Sequence, residues 1–230
     1  PYTTLFRSAN GNKYYSNQPE TFAYLKEFRH DVLDHYDCFV VGESPLTTAE
    51  TALRYVTEGP DQVLDEMIAF SHMEADCLKT DIIQIPFDLR KMKRAFTDWQ
   101  LKLQGKAWNA LYIENHDHPR IISRYGSEEY RRESGKMLAA MYMLQRGTPF
   151  IYQGQEIGMT NIRLKRLDEF QDVMTHNGIR LVKGLLPDST ILKMANRASR
   201  ENARTPVQWS GAEHAGFSSA EPWFYVNPNY

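Results

Sequence analysis

The chain has 230 residues, room for one large domain or two small ones. Hydrophobic residues make up 42% and charged residues 24%, the balance of an ordinary water-soluble protein, and a net charge of -2 excludes a basic surface built for nucleic acid. No apolar run reaches the length of a membrane span, and two cysteines, Cys38 and Cys77, are too few for a disulfide framework. Cys38 lies in an apolar run and is expected to be a reduced, buried, structural thiol, which fits a cytoplasmic protein.

Residues 1–8, Pro1 to Ser8, have no apolar core segment and so are not a signal peptide. They resemble the in-frame translation of a widely used DNA-sequencing adapter and are set aside as a cloning scar. The natural protein is then expected to continue upstream. Gly11 to Asn17 is polar and loop-like. From Pro19 the spacing of Phe22, Leu25, Phe28, Val32 and Leu33 predicts a helix, with Pro19 in its first turn. Cys38-Phe39-Val40-Val41 is short and apolar enough for a fully buried parallel strand, ending in Gly42-Glu43-Ser44-Pro45. Thr48 can cap a helix that runs to about Thr57 and is closed by Gly59-Pro60. Val63 to Phe70 predicts another strand, leading to Ser71-His72-Met73-Glu74, and Ala75 to Phe87 reads as loop.

Asp88 caps a helix whose stripe is Leu89, Met92, Phe96, Trp99 and Leu103, with Gly105 at its end. Trp108 to Ile113 predicts a buried strand, which changes at once into Glu114-Asn115-His116-Asp117-His118-Pro119-Arg120. Ser127 is the expected cap of the next helix, with Met137, Leu138, Met141, Tyr142 and Leu144 as its apolar face. Thr148 to Tyr152 reads as a further strand, with the polar exit Gln153-Gly154-Gln155-Glu156. Beyond Gly158 one helix is expected, from Leu167 to about Val182. A basic, irregular stretch then ends in Asn202-Ala203-Arg204-Thr205-Pro206-Val207-Gln208-Trp209, and Val226 to Tyr230 reads as a loop stopped in mid-course.

Helix and strand alternate four times after residue 18, which means βαβ units and a parallel sheet in an α/β fold. The polar residues follow the strands, as they do at the C-terminal face of a (β/α)8 barrel. Four strands make half such a barrel. A doubly wound sheet is the alternative, but no Gly-x-Gly-x-x-Gly supports a dinucleotide site. Two carboxylates at different strand ends, Glu43 and Asp117, would converge in one cleft. Cleaving a glycosidic bond needs such groups, one to protonate the leaving oxygen and others to stabilise positive charge at the anomeric carbon. Tyr112, Tyr125, Tyr152 and Trp209 could be sugar platforms, although core packing is the ordinary role of most such rings.

Val40-Val41-Gly42-Glu43, Asn115-His116-Asp117, the run Gly147 to Met159 and the string Asn202 to Trp209 together resemble glycoside hydrolase family 13, the α-amylase family. The last string resembles its oligo-1,6-glucosidase and α-glucosidase branch, which also holds trehalose-6-phosphate hydrolase and sucrose isomerase. The resemblance covers residues 9–230 and implies the C-terminal half, about strands 5–8, of a (β/α)8 TIM barrel. That makes 9–230 a partial catalytic barrel domain, with the N-terminal half and the C-terminal β-domain missing.

It also implies a retaining mechanism on α-glucosides of short oligosaccharides. Glu43 matches the general acid/base, Asp117 the acid that stabilises the transition state, and His116 and Arg204 match residues that bind the sugar. Asn115 and His72 are further substrate-binding candidates, and Glu156 is expected to hold loops together. The nucleophilic aspartate belongs to an Arg-x-Asp string after a strand. Arg29-His30-Asp31 has that form but lies inside a helical pattern, so the nucleophile is absent and the fragment is expected to be inactive. His116, Asp117 and His118 are not expected to bind a metal, because adjacent residues rarely face one ion. No cofactor is expected in this fragment; any calcium would belong to the missing N-terminal part. The implied partner is a small oligosaccharide, with no nucleic acid, no membrane and a monomeric state at full length. A non-enzymatic alternative is a related barrel of the kind found in amino-acid-transporter heavy chains, against which the retention of Glu43, His116, Asp117 and Arg204 speaks.

Overall fold

The computed structural model describes residues 14, 16–44, 46–78 and 80–229. The scar assigned to residues 1–8, and Pro45 at the strand exit, lie outside these residues. In chain order the elements are α1 (Pro19–Asp31), β1 (Val41–Glu43), α2 (Ala49–Val56), β2 (Glu66–Ile68), β3 (Cys77–Leu78), β4 (Thr80–Gln84), α3 (Leu89–Leu103), β5 (Ala110–Leu111), α4 (Ile121–Tyr125), α5 (Arg131–Met143), β6 (Thr148–Pro149), α6 (Val173–Val182) and α7 (Asp188–Ala198). Short 3-10 turns lie between them, among them Ser71–Glu74 and Arg200–Ala203.

The chain forms two compact units. The first holds the described residues up to Ala75, with Asp88–Leu111 and Gln145–Thr148. Its strands run in the sheet order β1, β2, β5, β6, which is also their order in the chain. Val41 lies opposite Glu66 and Ile68 opposite Ala110, both in parallel register. The helices begin where local chemistry favours it. The Thr48 hydroxyl accepts the Thr51 amide at 3.2 Å, and Asp88 accepts the amides of Arg90 and Lys91 at 2.8 and 3.3 Å. Such caps satisfy donors that a first helical turn leaves open. Ala52, Tyr55 and Val56 of α2 pack with Leu64, Met67, Trp99 and Leu103 in the core of this unit. That core holds β2 in place and thereby the sheet around it.

The second unit comprises Asp76–Phe87, Tyr112–Leu144 and the residues from Pro149 onward. One of its cores joins Ile162, Leu164, Phe170, Ile179, Ile191 and Phe224, so α6 and α7 pack on each other and on the chain around them. Two buried ion pairs lie in this unit. Arg124 meets Asp76 at 2.7 Å, and Arg120 meets Glu114 at 2.6 Å.

Several expectations are corrected. Cys38 is exposed, not buried, because β1 is an edge strand with one neighbour and its apolar lead-in is not covered on both faces. Residues 75–87 are not loop: β3 and β4 pair antiparallel, and the adjacent Ile82 and Ile83 break the alternation that would have revealed a strand. The helix after residue 127 starts at Arg131, and the Ser127 hydroxyl accepts the Tyr130 amide at 3.4 Å ahead of it instead of capping it. On that helix Leu138 and Tyr142 are buried, whereas Met137 and Leu144 are exposed. Leu167–Glu169 is a 3-10 turn separate from α6, and α7 stands where irregular chain was expected. The strands are also shorter than their apolar runs. Tyr112 and Ile113 are buried but lie beyond the paired residues of β5.

Candidate active site

The polar stretch after β5 is built as a loop with locked ends and an open tip. Glu114 and Arg120 stand at its ends, with side chains 1% and 0% exposed. Arg120 Nη1 donates to Glu114 Oε1 at 2.6 Å, and the Ile121 amide donates to the other oxygen at 2.8 Å. The same Nη1 donates to the Gln153 carbonyl at 2.8 Å, while the Arg120 amide donates to Asn161 Oδ1 at 2.9 Å. Its guanidinium lies 5.3 Å from the centre of the Tyr152 ring, and the Tyr152 hydroxyl donates to the Ala203 carbonyl at 2.9 Å. A buried charge is stable only when bonded in this way. Between the locked ends, Asn115 Oδ1 accepts the Asp117 amide at 2.9 Å, a side-chain turn that sets the direction of the tip.

At the tip, two guanidiniums meet one oxygen of Asp117. Arg204 Nη2 donates to Asp117 Oδ1 at 2.8 Å and Arg200 Nη1 donates to it at 3.1 Å. Arg204 Nε also donates to the His116 carbonyl at 2.9 Å, which ties the string 202–209 to the loop. Asp117 Oδ2 has no hydrogen-bond partner among the described residues; the His116 Nε2 atom is 3.6 Å away. Behind Asp117, Arg200 donates twice to Asp172 Oδ1, from Nη2 at 2.7 Å and from Nε at 2.9 Å. Asp172 caps α6, its Oδ2 accepting the Thr175 amide at 2.8 Å and the Thr175 hydroxyl at 3.1 Å. Burial pushes the Asp172 carboxyl up, but the bonds from Arg200 and Thr175 outweigh it and hold the group below the usual carboxylate range. Asp172 in turn raises the Arg200 guanidinium above its usual value. The result is a partly exposed carboxylate with one oxygen fixed and the other free to accept a ligand hydroxyl.

The structure thus brings together Asn115, His116, Asp117 and Arg204 among the residues expected from sequence. Glu43 and His72 belong to the other unit. Glu43 is the last residue of β1 and exposed. His72 is 5% exposed and its ring stacks on Phe96 with centroids 5.0 Å apart. Glu156 is exposed. Of the aromatics, Tyr112 is buried, the Tyr125 hydroxyl donates to Asp76 at 3.4 Å, and Tyr152 serves the Arg120 anchor; Trp209 is exposed. Arg200, Asp172, Glu114 and Arg120 were not assigned roles from sequence. One available signal was the placing of Arg200 four residues before Arg204, at the edge of the string 202–209. Another was the acid and the arginine flanking the tip. No group of three or more His, Cys, Asp or Glu side chains that could hold a metal ion occurs among the described residues. No helix among them is long and apolar enough to cross a membrane.

Comparison with known proteins places this geometry in a family. The family model for the alpha amylase catalytic domain matches residues 4–230. An oligo-1,6-glucosidase of Halalkalibacterium halodurans is 41% identical over 224 residues, which cover 96% of this chain and 40% of the relative. A trehalose-6-phosphate hydrolase of Bacillus subtilis is 38% identical over 225 residues, with the same coverage of 96% and 40%. Among solved structures, the Bacillus licheniformis trehalose-6-phosphate hydrolase superposes with a TM-score of 0.89 at 38% identity, covering 97% of this chain and 41% of that one. An isomaltulose synthase from Klebsiella sp. LX3 superposes with a TM-score of 0.86 at 30% identity, covering 92% and 39%. The chain therefore spans about 40% of the length of the curated relatives it matches. On these matches the chain belongs to the α-amylase family, glycoside hydrolase family 13, in its oligo-1,6-glucosidase and α-glucosidase branch.

Proposed function

We propose that this chain is part of a retaining α-glucosidase that hydrolyses the α-1,4 or α-1,6 bonds of short oligosaccharides. It would contribute the C-terminal half of a (β/α)8 catalytic barrel, in a cytoplasmic enzyme that is a monomer at full length. The observation that carries this reading is the Asp117 carboxylate, fixed through Oδ1 by Arg204 and open at Oδ2. A sugar hydroxyl can donate to that open oxygen, and the charge beside it favours the positive anomeric centre of the transition state. Asn115 shapes the tip, and His116 and Arg204 complete the sugar contacts in this reading. Glu43, at the end of β1, is proposed to protonate the leaving oxygen and then to activate water. His72 is a further candidate contact, although its ring is packed on Phe96. In this reading the covalent step needs a third carboxylate in an Arg-x-Asp string after a strand; the two strings of that form in residues 9–230, Arg29-His30-Asp31 and Arg166-Leu167-Asp168, lie in α1 and at a 3-10 turn instead. The two free cysteines fit a reducing compartment.

Related hydrolysis of a phosphorylated disaccharide, or isomerisation of sucrose, is the second reading. It is favoured by the matches to trehalose-6-phosphate hydrolases and isomaltulose synthases. The test of the acid role is Glu43→Gln in the full-length protein that carries this segment. Turnover of maltose or isomaltose is expected to fall by about 10²–10⁴-fold. An aryl glucoside with an acidic phenol as leaving group needs little protonation and should lose far less. Equal losses on both substrates would refute the assignment.

A further inference from the structure

Asp117 could be oriented by Arg204 alone, yet the geometry includes a second arginine with its own support. Arg200 does not simply lie near Asp117. Its Nη1 reaches Asp117 Oδ1 at 3.1 Å while its Nε and Nη2 hold Asp172 Oδ1 at 2.9 and 2.7 Å. Asp172 is itself fixed. Its side chain is buried, its other oxygen caps α6, and its own amide donates to Glu201 Oε1 at 2.9 Å. Glu201 also accepts from the Ser199 hydroxyl at 3.3 Å, and that hydroxyl lies 2.8 Å from the Thr175 hydroxyl. The planar fork of Arg200 is thus anchored on one side to the start of a helix and presents its remaining arm to the tip of the loop.

We propose that Arg200, held by Asp172, is a positioning residue. It occupies Asp117 Oδ1 together with Arg204, so that Asp117 can offer a substrate only its Oδ2 atom. Asp117 side chains have two rotatable bonds, and a single arginine contact leaves the carboxylate able to turn about the axis of that contact. Two donors meeting at one oxygen, one of them itself fixed to Asp172, remove that freedom. The inference rests on the glucosidase reading for its substrate and extends it by assigning how the sugar-facing oxygen is chosen. Arg200 touches no substrate atom in this account. It acts through Asp117, and Asp172 acts chiefly through Arg200, whose Nη2 is 2.7 Å from Asp172 Oδ1 against 3.8 Å for Arg204 Nη1. Arginine suits the place because one planar group must serve two carboxylates at once, which a lysine ammonium on a flexible stem cannot do equally well.

The experiment uses the full-length protein carrying these residues, with maltose and isomaltose as substrates and variants Arg200→Gln, Arg200→Lys and Asp172→Asn. In Arg200→Gln, kcat is expected to fall about 10- to 100-fold, the size of effect that a misplaced catalytic group produces, with KM moving far less. Arg200→Lys should recover part of the lost kcat. Asp172→Asn should lower kcat in the same way, and the double variant Arg200→Gln/Asp172→Asn should be no worse than Arg200→Gln, because both act along one chain of contacts. Circular dichroism melts accompany each variant. If Arg200→Gln does not fold, Arg200→Lys and Asp172→Asn decide by the same kcat criterion. Wild-type kcat in Arg200→Gln, or additive losses in the double variant, would overturn the proposal while leaving the glucosidase reading intact. A wild-type protein that turns over neither sugar would overturn that reading and this inference with it.

Discussion

Glu66 shows how a single residue can work against the fold that contains it. It opens β2, is 1% exposed and accepts the Thr148 hydroxyl through Oε1, while Oε2 has no hydrogen-bond partner among the described residues. Burial pushes its pKa up from the ordinary glutamate range. The sign of the pH effect follows. The folded state binds the proton more tightly than the unfolded chain, so the stabilising contribution is full below the unfolded value, about 4.3. It is lost as pH rises through the raised folded value. Glu66→Gln is therefore expected to stabilise the protein at pH 7, by about 1 kcal/mol or roughly 2–4 °C in Tm, and to give no gain at pH 4. Thermal melts of both forms at the two pH values check this, and a destabilised variant at pH 7 would contradict it. Glu66 was hidden in the sequence because a lone acid inside the apolar run from Val63 to Phe70 carries no periodic signal. Asp117 and Arg204 were legible because each stands in a run of polar residues of a distinctive order. Arg200 and Asp172 lie outside the strings that carry the family resemblance, and their roles come from meeting across 28 positions of chain.

At the scale of elements, the connection from α5 to β6 depends on one glycine. Gly147 has φ +151°, a conformation that side chains rarely adopt. A Cβ there would collide with the Asn109 carbonyl and come within 2.7 Å of Leu111 Cγ, both beside β5. The strands approach closely because nothing stands between them, and the Thr148 amide donates to that same Asn109 carbonyl at 2.8 Å. Gly147→Ala should cost about 1–3 kcal/mol in backbone strain before the collision is counted, measurable by chemical denaturation. Unchanged stability would mean that the turn has another conformation open to it. The helices with strong start signals, α2 after Thr48 and α3 after Asp88, were legible to the residue. The helix α7 was not, because its buried stripe amounts to Ile191 and Ala195, and the apolar Leu192 and Met194 between them blur the helical period. Strand lengths were overread for a different reason. Apolar runs report burial, and burial at Tyr112 and Ile113 continues past the last paired residue of β5.

At the scale of the whole molecule, the parallel sheet has β1 and β6 as its outer strands. Among the described residues each lacks a neighbouring strand on one side, and Phe39 beside β1 and Ile151 beside β6 are exposed apolar groups. The isolated chain is expected to self-associate as its concentration rises, and to show no turnover of maltose. Light scattering across a dilution series and a sensitive glucose assay check the two statements. A monodisperse monomer with a cooperative melt would count against the half-barrel reading. The family was legible in sequence because three of its motifs fall at strand ends and the fourth, Asn202 to Trp209, is a distinctive string after α7. Parallel pairing was legible from alternation alone. What alternation could not supply was the division into two compact units, since that depends on which apolar faces meet and not on where each lies along the chain.

The locked ends of the loop between Glu114 and Arg120 carry a consequence for how such a site can change over time. Its feet are held by the two end residues, the Ile121 amide, the Gln153 carbonyl and Asn161, whereas the tip is held by Asn115 and by the arginine contacts of Asp117. Stability and chemistry are therefore written in different letters of the same short word. His116, whose side chain makes none of these bonds, can be exchanged, by evolution or by design, for a residue that suits another sugar, while the feet of the loop keep their place. A trehalose-6-phosphate hydrolase and an isomaltulose synthase, with distinct activities, superpose on this chain with TM-scores of 0.89 and 0.86. A loop fastened at its feet is one physical means by which a scaffold can stay constant while its reaction drifts.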